Sequence, residues 1–74
     1  MTIEEFKKKI APHMKHGWVA MDECGLWYYF EYEPDACLHS WERRVHFSET
    51  VCLNTLFKIE PVKDRTRSLI EVGK

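Results

Sequence analysis

Between Gly17 and Pro34 the chain reads Gly-Trp-Val-Ala-Met-Asp-Glu-Cys-Gly-Leu-Trp-Tyr-Tyr-Phe-Glu-Tyr-Glu-Pro, and this stretch constrains the fold more than any other. Two runs of aromatic and β-branched residues, 18–21 and 26–32, flank the polar break Asp22-Glu23-Cys24-Gly25. That is the pattern of a β-hairpin, with Gly25 able to take the positive φ that a short loop needs. The second run carries Trp27, Tyr28, Tyr29, Phe30 and Tyr32, so ring surface lies on both faces of the strand. A strand with two apolar faces has to be covered twice. In 74 residues the second cover is hard to find within the chain, which raises a second subunit or a ligand as the cover.

At this length residues 1–74 form one small domain, near the size where a single core is marginal. With 45% hydrophobic and 14% aromatic residues against 31% charged, the composition is that of a folded chain. A formal net charge of −1 gives no general attraction to nucleic acid or to an anionic membrane. No apolar run has the length of a membrane span or follows the pattern of a signal peptide. Cys24, Cys37 and Cys52 are odd in number and irregularly spaced, which fits a reducing compartment and no disulfide framework. Together these features predict a cytoplasmic chain with no membrane partner.

Upstream of the hairpin, Thr2 and Glu5 have the spacing of a capping box, and Ile3, Phe6 and Ile10 follow on one helical face. Pro12 ends that helix by disfavouring the α conformation at Ala11. A helix this short needs its apolar stripe packed on the hairpin. Lys7, Lys8, Lys9 and Lys15 are read as its solvated face. Downstream, residues 34–40 have loop chemistry, and residues 41–47 alternate as a third strand. Residues 48–59 fit either a short fourth strand or a helical turn, because Val51, Leu53, Leu56 and Phe57 satisfy both periods. Pro61 and Asp64 bracket a turn, and residues 65–72 close the core through Leu69, Ile70 and Val72. The expected fold is α+β: a short N-terminal helix packed on a small antiparallel sheet of three or four strands with a central β-hairpin.

Few residue sets could carry chemistry. Cys37, His39, His46 and Cys52 have donor atoms for tetrahedral zinc, but without a Cys-x-x-Cys pair no metal and no cofactor is expected. Cys24 with His13 or His16 is the only local nucleophile–base pair, and no oxyanion site accompanies it, so no catalytic residue is assigned. Glu31 and Glu33 share a strand face, where carboxylates keep an exposed strand soluble. The stronger signal is rings beside guanidinium groups. Trp27, Tyr29 and Trp41 offer flat faces, and Arg43, Arg44, Arg65 and Arg67 offer planar donors, a combination that holds a nucleotide without turning it over. The same residue types dominate protein interfaces, and rings on strands of small domains also simply form core.

The runs Gly17-Trp18-Val19-Ala20-Met21-Asp22 and Gly25-Leu26-Trp27-Tyr28-Tyr29-Phe30, with Pro34, Leu56-Phe57-Lys58-Ile59-Glu60-Pro61-Val62, Asp64 and Ser68-Leu69-Ile70-Glu71-Val72, resemble short proteins encoded by bacteriophages and prophages of gut bacteria. Where such proteins often carry an aromatic after Asp64, this chain has Arg65. The resemblance implies action in a bacterial host cytoplasm, where small phage proteins bind a host protein or sequester a small molecule, including nucleotide signals of host defence. The functional expectation is therefore a non-enzymatic, counter-defence binding protein holding a nucleotide-like ligand at the seven ring and arginine residues. Its expected partner in assembly is a second copy, in a two-fold dimer. The alternatives are an interaction module that inhibits a host protein and a self-associating structural phage component. Nucleic acid is disfavoured, since Asp22, Glu23, Glu31, Glu33 and Asp35 surround the aromatic strand.

Overall fold

The computed structural model describes residues 1–37, 40–45 and 48–73. The helix α1, Ile3–Lys9, starts on the expected capping box: the Glu5 N–H donates to Thr2 Oγ1 and the Thr2 N–H donates to Glu5 Oε1, both at 3.1 Å. A single 3-10 turn, Ala11–His13, carries Pro12 and leads into the sheet. The hairpin strands are β1, Gly17–Met21, and β2, Trp27–Phe30, and Gly25 sits in the loop at φ 84°. Asp22 Oδ1 organises this loop by accepting from the Cys24 and Leu26 amides at 3.0 and 3.1 Å.

The fold is the α+β class expected, with the hairpin at the centre of a four-stranded antiparallel sheet. Residues 35–36 and 41–42 form short strands β3, Asp35–Ala36, and β4, Trp41–Glu42, which pair only with each other as a two-stranded flap. The third strand expected over 41–47 is thus cut to two residues, and part of the expected loop 34–40 becomes its partner; His46 and Phe47 lie outside the described residues. The ambiguous segment 48–59 is both things in succession, strand β5, Thr50–Cys52, then a 3-10 turn, Leu53–Thr55. A third 3-10 turn, Arg65–Arg67, precedes β6, Ile70–Val72. The sheet order is β5-β2-β1-β6.

Register decides which rings share a face. Met21 pairs with Trp27, Val19 with Tyr29 and Ile70, Gly17 with Val72, and Tyr29 with Val51. Side chains alternate along a strand, so these residues line one face. That face packs under α1: Phe6, Val19, Trp27, Leu53, Ile59 and Val72 are each no more than 2% exposed, and Ile3, Ile10 and Ile70 pack against them. Phe6 meets Phe57 edge-on at 6.1 Å. The outer strands are too short to pair the whole hairpin, and two side chains extend them. Asn54 Oδ1 accepts from the Trp27 amide at 2.7 Å on one edge, and Ser68 Oγ accepts from the Met21 amide at 2.8 Å on the other.

The opposite face carries Trp18, Ala20, Tyr28, Phe30, Thr50 and Cys52. Here cover comes from the chain itself: the flap, which joins β2 to β5 along the chain, faces Tyr28, Phe30 and Thr50 of the sheet. Ala20 is 0% and Phe30 3% exposed, while Trp18 and Tyr28 are only half-buried. The lysines behave as a solvated face, with Lys7 near Glu4 at 3.5 Å, Lys9 near Glu5 at 4.0 Å and Lys15 on Glu31 at 2.9 Å. Among the described residues no helix is long and apolar enough to cross a membrane.

Candidate functional site

Incomplete cover on the flap side leaves a cleft of about 590 Å³, within the range of small-molecule sites. Its floor is the sheet, through Tyr28, Phe30, Thr50 and Asp22 at the end of β1; its other wall is the flap, through Ser40, Trp41, Glu42 and Arg43. Three rings among the described residues therefore meet one guanidinium, two carboxylates and three hydroxyls, those of Ser40, Thr50 and Tyr28. Among the described residues the ring pairs are Phe6 with Phe57 and His16 with Trp18, so none of the cleft rings is stacked on another.

Polar ties hold the flap in place. Trp41 Nε1 donates to the Arg65 carbonyl at 3.2 Å, and the Arg65 guanidinium donates back to the Cys37 carbonyl. Arg43 Nη1 donates to the Ser48 carbonyl at 3.1 Å, and Arg44 Nε sits 2.6 Å from Asp35 Oδ1 across the flap. The charges are felt locally. Burial pushes the Tyr28 phenol up, with Cys52 and Asp22 adding to the effect. Burial also raises the Cys37 thiol, reinforced by the Glu42 carboxylate.

This geometry divides the seven expected ligand residues. Trp41 and Arg43 line the cleft. Trp27 and Tyr29 lie on the other sheet face, 0% and 5% exposed, with their polar ends already bonded: Trp27 Nε1 donates to the Glu60 carbonyl at 3.2 Å and Tyr29 Oη to the His16 carbonyl at 3.0 Å. Their rings belong to the buried core cluster that includes Phe6 of the helix. Arg44 is committed to Asp35, Arg65 to the flap tie, and Arg67 is an exposed side chain 3.7 Å from Asp64. The cleft residues missed by the sequence reading are Asp22, Tyr28, Phe30, Ser40, Glu42 and Thr50. The signal that could have found the rings is strand parity: if Trp27 and Tyr29 face the helix, Tyr28 and Phe30 must face away.

Cys24 lies in the hairpin loop at the far end of β1 from His16, so the sequence-local nucleophile–base pairing with His16 is not formed. All three cysteines are free thiols. Of the zinc candidates, His39 and His46 lie outside the described residues, and no group of three metal-binding side chains occurs among the described ones. Comparison of the chain with protein-family models, with curated proteins and with solved structures finds no match.

Proposed function

We propose that the chain is a non-enzymatic binding module that sequesters a small flat ligand, of nucleobase or nucleoside size, between the sheet and the flap. The observation that carries this reading is the cleft itself, where the half-buried Tyr28 and Trp41 present ring surface beside the hydrogen-bonding groups of Arg43, Glu42, Ser40 and Thr50, with the buried Phe30 completing the lining. A base held on one ring face gains about 1–3 kcal/mol from stacking. The resemblance to short phage proteins gives the proposal its setting, the cytoplasm of a bacterial host, where removing a nucleotide-derived signal counters a defence. Self-association is not required by this reading, because the flap covers the strand face that a second subunit would otherwise cover.

The test is calorimetric titration of the protein with unmodified nucleosides and their monophosphates, repeated with Trp41→Ala. Binding that weakens roughly 5- to 100-fold in the variant supports the reading. Silence across the panel removes it. An interaction module is the second reading, favoured by exposed apolar side chains at Leu56 (68%), Tyr32 (50%) and Val45 (42%). It expects the same panel to be silent and Leu56→Ser to abolish capture of a protein partner.

A further inference from the structure

We infer that the cleft selects for positive charge, so that its ligand is a flat organic cation and a phosphate on the ligand works against binding. The inference rests on the binding reading above and adds the ligand's charge to it. Sequence reasoning pointed to four arginines and hence to phosphate, but only Arg43 lines the cleft. Part of its guanidinium is engaged by the Ser48 carbonyl. Against it, among the described residues, stand two carboxylates, Asp22 from the sheet side and Glu42, which also accepts from the Cys37 thiol, from the flap side, so the described lining carries one positive and two negative charges. Asp22 is not free to swing away, because its Oδ1 holds the Cys24 and Leu26 amides of the hairpin loop. The negative field reaches the rings: Asp22 contributes to the upward shift of the Tyr28 phenol.

A cation over the face of Trp or Tyr is attracted by the ring quadrupole, and two carboxylates in the lining strengthen that attraction. A phosphate brought to the same place meets two like charges and one partly occupied guanidinium. Both terms favour the same ligand class, a nitrogen heterocycle made cationic by alkylation or protonation. The two carboxylates and the rings lie on both walls, so the preference belongs to the closed cleft and not to either wall alone.

The experiment compares three probes of one shape: adenosine, 1-methyladenosine, which carries a positive charge on its ring at neutral pH, and adenosine monophosphate. Calorimetry on the full chain at low salt is expected to rank 1-methyladenosine tighter than adenosine by about 5- to 30-fold, with the monophosphate weakest. Adenosine or its monophosphate binding as tightly as 1-methyladenosine overturns the charge selection and leaves the binding reading standing. Silence of all three overturns the binding reading, and the charge selection with it. Glu42 is exposed, so Glu42→Gln is a fold-neutral probe of the same point. It is expected to shrink the ratio of 1-methyladenosine to adenosine affinity by about 3-fold, and an unchanged ratio overturns the role given to Glu42.

Discussion

The two faces of the central hairpin are built from the same residue types and end in different states. On the helix side, Val19, Trp27 and Val72 are sealed, because α1 and the turn Leu53–Thr55 bring their own apolar side chains to the contact. On the other side the cover includes a pair of two-residue strands, and among the described residues Trp41, Arg43 and Arg65 tie it by hydrogen bonds. An apolar stripe closes over apolar surface without gaps, whereas a polar tie fixes position at a few points and leaves space between them. The difference teaches where a small domain can keep a site: on the face that its core does not need.

The largest test of that contrast is a pair of tryptophans. Trp27→Ala removes a fully buried ring and orphans the Glu60 carbonyl, and is expected to cost about 3–5 kcal/mol, enough to unfold most of a domain this small. Trp41→Ala is expected to cost under about 2 kcal/mol, since its ring is half-buried in the cleft wall and its loss frees one hydrogen bond. Urea melts measure both. Equal losses would mean that the flap is core and the cleft merely a packing defect.

Gly17→Ala probes the sealed face at its edge. A Cβ there would stand 2.6 Å from the Phe30 carbonyl oxygen and 2.6 Å from the Tyr29 ring and hydroxyl, and two of these neighbours are tied, one to the sheet and one to the His16 carbonyl. The expected loss is about 1–3 kcal/mol, read as a shift of the denaturation midpoint at unchanged slope. No change would show that the face has slack where the structure has none.

The helix, the hairpin and the core stripe were legible from the sequence because each has a local cause: the Thr2/Glu5 box, Gly25 in the loop, and Ile3, Phe6 and Ile10 at helical spacing. Of the strand expected over 41–47, Trp41 and Glu42 are strand while Arg43, Arg44 and Val45 leave the ladder, with Arg43 on the Ser48 carbonyl and Arg44 on Asp35; alternation in polarity does not distinguish the two. The partner strand at Asp35 and Ala36 has no period to detect at two residues. The candidate cleft was partly legible: Trp41 and Arg43 line it, and Tyr28 and Phe30 do so because register puts them on the face opposite Trp27 and Tyr29.

A smaller effect is expected from Arg65→Ala, which removes the guanidinium tie to the Cys37 carbonyl while leaving the helix-side core untouched. The cost to global stability should be about 1 kcal/mol. Amide exchange should quicken at Cys37, whose N–H donates to the Ser40 carbonyl inside the flap, and stay slow in β1 and β2. Uniform acceleration through the sheet would mean that flap and sheet open as one unit.

The smallest effect is on the acid side, and it touches both covers at once. The Glu5 carboxyl is held below its ordinary range chiefly by the Thr2 backbone amide, Glu31 by the Lys15 ammonium, and Asp64 by the Thr66 hydroxyl and amide. Glu5 caps the helix that seals one face, and Asp64 caps the turn Arg65–Arg67 that anchors the flap over the other. A carboxyl whose folded pKa lies below its unfolded value adds stability that is complete above the unfolded value and disappears as pH falls through the folded one. Stability should thus be flat from neutral pH down to about pH 5 and decline below roughly pH 4. Glu5 and Asp64 are solvent-exposed and Glu31 only half-buried, so the decline is shallow, and the triple variant Glu5→Gln, Glu31→Gln, Asp64→Asn should flatten it. Urea midpoints measured across that range check the sign: a wild-type midpoint that rises on acidification, or a triple variant that declines as steeply as wild type, would mean that other groups govern the acid limb.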